Sequence, residues 1–299
     1  MSAPENVPDG SAPPTLGDYL LGQLIAEDED TRTYHARQRA MGRGVVLVMQ
    51  KRAGREQQAA SFLGDVRAKA AIEHPGIGSV YEAVENEGEL YWTRELLSGQ
   101  SFADLCEGGH MNTPREVTGL LKQLGRAMAH LEERGIRGAA LKASDLVLGE
   151  HGILRIQNLA LAGKRESDET ARDLRVAASL MPELLKPGLA GTDRFGDTRL
   201  GRLFGLMMGE GEGARLSWTQ VANTAHELEQ SLAAEVRKAT EEMVKQSRRN
   251  RMKKMGLAVL GTAAVTLVVY ALFGVSRRDA VPIRDLSGMI SIPGGVYRD

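Results

Sequence analysis

The sequence predicts an α+β chain with a strand-rich first part, a helix-rich second part and one apolar helix near its end. Three observations predict this. Short apolar runs between polar turns fill Tyr19 to Tyr91. Helical periodicity takes over after Gly99. Met255 to Val275 then carries no charge and has about the ~20 residues that an α-helix needs to cross a bilayer.

Residues 1–14 are rich in Pro, Ser and Gly and are expected to be disordered. From Tyr19, the runs YLLGQLI, RTYHARQ, GVVLVMQ, GSVYEAV and ELYWTREL read as strands. One helix interrupts them at about Glu56 to Glu73. It sets Phe62, Val66 and Ala70 on one face, and His74-Pro75 ends it. TPREVTGLLKQLGRAMAHLEERG opens with a capping box, Thr113 with Glu116, and has Pro114 at the first helical position. Val117, Leu121, Leu124, Met128 and Leu131 form its apolar stripe, and Gly135 fits the position just past its end. Two short strands, DLVLG and ILRIQN, follow. The rest is mostly helix, and SWTQVANTAHELEQSL opens with a second capping box, Ser217 with Gln220.

Composition narrows the function. The chain has 299 residues, 42% hydrophobic but only 4% aromatic, so its core rests on Leu, Val, Ala and Met. The single cysteine, Cys106, excludes an internal disulfide and a cysteine-rich zinc site, and no two histidines stand at metal-ligand spacing. The net charge of -1 hides a split, because Lys245 to Lys254 holds six cations and no acid. The remainder is mildly acidic, which argues against nucleic acid as a partner.

That basic run places the apolar helix in a membrane. Lys245, Arg248, Arg249, Arg251, Lys253 and Lys254 precede it, whereas Arg277 and Arg278 follow with Asp279 beside them. The positive-inside rule puts the N-terminal part in the cytoplasm and the C-terminus outside, for a single pass through the inner (plasma) membrane. The same run suits anionic lipid head groups. The expected boundaries are 15–233 for the globular domain, 234–254 for the basic segment, 255–275 for the span and 276–299 for an extracytoplasmic stub.

The order of elements, with these residues, resembles the bacterial Ser/Thr protein-kinase family over about Leu16 to Leu232. GVVLVMQ looks like the strand that normally reads V-A-I-K. FLGDVRAKAAIEHPGIGSVYEAVENEGELYWTRELLSGQSFADL is similar to the region from the helix αC to the hinge. LEERGIRGAALKASDLVLGEHGILRIQNLALA resembles the catalytic loop through the metal-binding motif. DLRVAASLMPELL looks like the family's helix αF and ARLSWTQVANTAHEL like its last helices. The resemblance implies a bilobal protein-kinase-like fold.

It also implies where the chemistry should sit. The phosphate-gripping lysine falls on Val48 and its glutamate partner on Asp65. The H-R-D motif falls on Gly138, Ala139 and Ala140, with no carboxylate to accept a hydroxyl proton. Lys142 is kept, the metal-binding asparagine falls on Asp145, and D-F-G falls on Asn158, Leu159 and Ala160. The glycine-rich loop carries Glu27, Asp28, Glu29 and Asp30, which repel a triphosphate. Lys51 would reach the cleft only through a register slip or bulge. Between Ala162 and Asp173 the substrate platform is short, without A-P-E, so Arg215 lacks that motif's glutamate.

Phosphoryl transfer is mostly positioning and charge neutralisation. The expectation at this point is therefore a catalytically inactive kinase homologue, a pseudokinase with ATP and magnesium binding lost. It would act as a membrane-tethered scaffold for an unknown protein partner at the cytoplasmic face. An atypical Ser/Thr kinase or nucleotide-binding domain with relocated residues (Lys51, Lys142, Asp145) is the second reading. An inert plug on a signal anchor is the third. MISIPGGVYRD at the end resembles the opening of formylglycine-generating-enzyme-like domains.

Overall fold

Alternating β-branched and aromatic residues build the first half, and the computed structural model describes residues 14–51, 56–86, 89–108, 112–185, 198–210 and 216–274. The expected disorder of 1–13, Arg215, Val275 and the stub with Arg277 and Arg278 lie outside these residues. Strands β1 (Thr15–Leu16), β2 (Tyr19–Glu27), β3 (Thr31–Gln38) and β4 (Gly44–Gln50) precede helix α1 (Glu56–Ala70). Strands β5 (Val80–Asn86) and β6 (Glu89–Glu95) follow it. The six strands form one antiparallel sheet in the order β1-β2-β3-β4-β6-β5. The pairing shifts register twice between β2 and β3, near Leu24, and once between β5 and β6, near Val80. The pairing of β3 with β4 has no shift from Thr31–Gln50 to Arg37–Gly44.

Period-two alternation divides the sheet into two faces. Tyr19, Ala36, Val45, Leu47 and Tyr91 pack on one. Val46, Val48 and Trp92 pack on the other, against Val66 of α1. Helix α1 ends at Ala70, three residues before the expected Glu73.

Strand β7 (Gln100–Ser101) and helix α2 (Phe102–Glu107) lead to helix α3 (Pro114–Glu133). The α3 N-terminus forms as its sequence requires. Glu116 N–H donates to Thr113 Oγ1 at 3.3 Å, and Thr113 N–H donates to Glu116 Oε2 at 2.7 Å. Gly135 stands just past the end with φ +63°, a conformation that glycine adopts without strain. Strands β8 (Ile136–Gly138), β9 (Leu146–Leu148), β10 (Leu154–Ile156) and β11 (Ala160–Lys164) follow. β9 pairs with β7 and β10, and β11 with β8. Helices α4 (Glu169–Leu180), α5 (Thr198–Met208) and α6 (Trp218–Gly274) complete the described chain.

The second core gathers Phe102, Leu121, Leu124, Met128, Leu131, Phe204 and Trp218 around α3. Gly125 lets α3 approach α6 closely, since a Cβ there would stand 2.9 Å from that of Ala222. Three sequence expectations need adjustment. The helix expected from Asp173 starts four residues earlier, at Glu169. Pro182-Glu183 lies in a 3-10 turn after this helix, not within it. The basic segment and the apolar run belong to one helix, α6, since neither Pro nor a capping signal interrupts them.

Residues from Val236 onward form a separate unit, helical to Gly274 and exposed where described. Among the described residues, one helix is long and apolar enough to cross a membrane, by length and composition.

Candidate functional site

The sequence-predicted positions lie on or beside β4, on α1 and on the loops between α3 and α4. Val48 sits on β4 opposite Trp92, buried between the sheet and α1. It contributes packing and no charge. Asp65, on the same helix as Val66, turns elsewhere. Its Oδ1 accepts from the Ala162 backbone N–H at 2.7 Å, tying α1 to β11. Asn158 makes the neighbouring tie. Its Nδ2 donates to the Lys69 carbonyl at 2.8 Å, and its Oδ1 accepts from Ala160 N–H at 3.2 Å. Both ends of this buried amide therefore serve the backbone.

Ala140 is exposed and brings no polar group. Around it the loop is held from α4. Gly138 N–H donates to Glu169 Oε2 at 2.8 Å, and Arg172 donates to the Gly138 carbonyl at 3.1 Å. Leu141 N–H donates to Asp173 Oδ1 at 3.4 Å. Asp145 Oδ2 accepts from Lys142 N–H at 2.9 Å, closing a short turn, while the Lys142 residue is exposed.

Lys51 lies outside the cleft. It pairs with Glu27 at 2.7 Å, and its Nζ donates to the Asp28 carbonyl. The unshifted β3–β4 register supplies no bulge to turn it inward. The acidic run becomes a tight turn. Asp28 Oδ1 accepts from Asp30 N–H at 2.9 Å and Thr31 N–H at 2.7 Å, and Glu27 also pairs with Arg32 at 3.1 Å. Hydrogen bonds from Lys51 and Arg32 hold the Glu27 carboxyl below its usual range.

The structure adds two cations that the sequence reading missed. Lys69 lies one helical turn after Asp65, and its Nζ donates to the Ala160 carbonyl. Burial pushes its ammonium down to about 8. Arg94 of β6 donates to Gln157 Oε1, and burial pushes it down to about 10. Among the described residues, no carboxylate lies within ion-pair distance of either. Asp145 is the acid whose charge reaches both, and Asp65 also reaches Lys69. Burial raises the Asp145 carboxyl, against the pull of Lys142, Arg94 and Lys69. The signal for Arg94 was a charged residue inside the apolar run YWTRE. For Lys69 it was the four-residue spacing from Asp65.

A profile of the protein kinase domain matches residues 23–194, more than half of the chain. The chain belongs to the protein kinase family. It is 24% identical over 155 residues to CBL-interacting serine/threonine-protein kinase 20 of Arabidopsis thaliana, a match covering 50% of this chain and 35% of that protein. It is 25% identical over 191 residues to CBL-interacting protein kinase 22 of Oryza sativa subsp. japonica, covering 56% and 41%. It is 28% identical over 181 residues to the DNA damage-responsive serine/threonine-protein kinase RqkA of Deinococcus radiodurans, covering 58% and 27%. The match to this kinase-family chain thus spans less than half the length of each of these relatives.

The reading of the chain as a non-enzyme is corrected by these matches. The matched family is that of protein kinases, and the curated relatives are named as kinases, which points to a protein kinase enzyme. The inference rested on the joint loss at Val48, Ala140 and Asn158 and did not include the charges of Lys69 on α1 and Arg94 on β6.

Magnesium, which the family implies, does not fit Asn158, whereas Asp145 commits one of its two carboxylate oxygens. Both polar atoms of Asn158 are committed to the backbone, and one Asp145 oxygen accepts from Lys142. Among the described residues no three His, Cys, Asp or Glu side chains converge as a metal site.

Proposed function

We propose that the chain is a membrane-anchored protein kinase of atypical construction, with its kinase domain on the cytoplasmic side of the plasma membrane. It transfers phosphate from a nucleotide to a serine or threonine hydroxyl of a protein partner and so passes on a signal at that face. The observation that carries this reading is the pair of partly buried cations, Lys69 and Arg94, which among the described residues have no carboxylate within ion-pair distance and are influenced by Asp145 at longer range. Buried charge without a close counter-charge is costly, so such a pair favours the approach of an anion.

In this reading Lys69 and Arg94 take the phosphate-facing role that Val48 cannot fill. Asp145 accepts the hydroxyl proton as the new O–P bond forms and the bond to the leaving nucleotide breaks. Its raised pKa makes it a stronger base than an exposed aspartate. The choice of Ser or Thr follows the names of the relatives. The apolar stretch of α6 and its basic flank support the membrane placement.

The test is phosphate incorporation from labelled ATP, with magnesium, by the full chain reconstituted in liposomes. Incorporation into Ser or Thr is expected. It should fall at least ~100-fold in Lys69→Met and in Asp145→Asn. No incorporation above a heat-inactivated sample, or full activity in both variants, overturns the reading.

A further inference from the structure

The cations before the apolar stretch of α6 are arranged in a way that the kinase reading does not use. Lys245, Arg248, Arg249, Arg251, Lys253 and Lys254 lie on one continuous helix and are exposed. At 3.6 residues per turn they surround its axis, leaving no gap wider than about 100°. The last acid before them is Glu242, and none follows to Gly274. Among the described residues none of the six has an ion-pair partner.

A helix that lies flat on a membrane segregates its cations to one side and its apolar residues to the other. Here no such side exists. A full ring of cations suits a helix that stands upright through a layer of negative charge. The rise of about 1.5 Å per residue puts Lys254, Lys253 and Arg251 within about 6 Å of Met255, the first apolar residue. That is roughly the depth of one head-group layer. Arg249, Arg248 and Lys245 stand within about 15 Å, where roughly one to two Debye lengths still leave some attraction. Their long stems let the charged heads bend toward the lipid phosphates.

We propose that this collar is a binding site for anionic phospholipid head groups. It recruits such lipids to the shell around the helix, in the leaflet facing the kinase domain. This rests on the reading that α6 spans the membrane.

The test uses the full chain in phosphatidylcholine liposomes, with trace spin-labelled phosphatidylglycerol or spin-labelled phosphatidylcholine. Electron paramagnetic resonance reads the motionally restricted fraction of each. The expected result is a preference for phosphatidylglycerol of at least about threefold that shrinks in high salt. Changing all six cations to Gln should remove it, and exchanging Arg for Lys should keep it. Equal restriction of the two lipids, or a preference unchanged in the Gln variant, overturns the collar. So does full competition by inorganic phosphate at matched ionic strength, which would make it a general anion site. Absence of a restricted fraction for either lipid overturns the span itself, so the two failures are distinguishable.

Discussion

At the scale of the residue, the cleft is governed by charge placed where solvent is thin. Lys69 is the clearest case. Its ammonium titrates at about 8 in the folded chain, below the ordinary 10.5. The unfolded chain therefore binds more protons between those values, and stability rises with pH across that window. Below pH 8 the full penalty of the buried charge is present. Lys69→Met is expected to raise unfolding free energy at pH 7 by on the order of 1–3 kcal/mol and to flatten the rise between pH 8 and 10.5. Urea unfolding of both chains across that range checks this, and an unchanged slope rejects the assignment. The linear sequence carried only the four-residue spacing of Lys69 from Asp65, and not the burial that lowers its pKa. Val48, Asp65, Ala140 and Asn158 could be placed by resemblance, but the hydrogen-bond partners of Asp65 and Asn158 lie up to 97 residues away. A carboxylate that binds a strand backbone and an amide that binds a helix carbonyl leave no signature in local spacing.

At the scale of the element, the sequence speaks more clearly, because caps and periodicity act over a few residues. Thr113 and Glu116 were readable as a capping box, and both reciprocal bonds form. Thr113→Ala is expected to cost about 1 kcal/mol, and Thr113→Ser much less. Thermal melts of the two variants in detergent would show it, and equal melts would mean that packing alone sets the α3 start. The strands from Tyr19 to Glu95 were also readable from alternation. The short strands β9 and β10 were readable too, whereas β1, β7, β8 and β11 were not. The continuity of α6 was hidden for the opposite reason. Its composition changes from amphipathic to basic to apolar while its backbone geometry stays the same, so three segments were read where one helix exists.

At the scale of the whole molecule, a kinase domain and an apolar helix share one chain. If that helix spans a bilayer, the chain stays with the membrane fraction through alkaline carbonate extraction. A version stopped at Lys245 is expected to be released, and its retention would assign membrane binding to the globular part. The shifts in strand register have a further consequence, for solubility. An open sheet edge is a template for another chain's backbone. One edge of this sheet is β5, with a bulge near Val80 and the acids Glu82 and Glu85. At the other, two-residue β1 covers little of β2, and two bulges flank the exposed Leu24. Bulges break the flat row of unpaired groups that an incoming strand needs, and charges repel its approach. The sheet is thus guarded at both margins against growing into neighbouring copies. Replacing Glu85 with Val should leave the fold intact yet raise light scattering on concentration, and unchanged scattering would place the protection in the bulges alone.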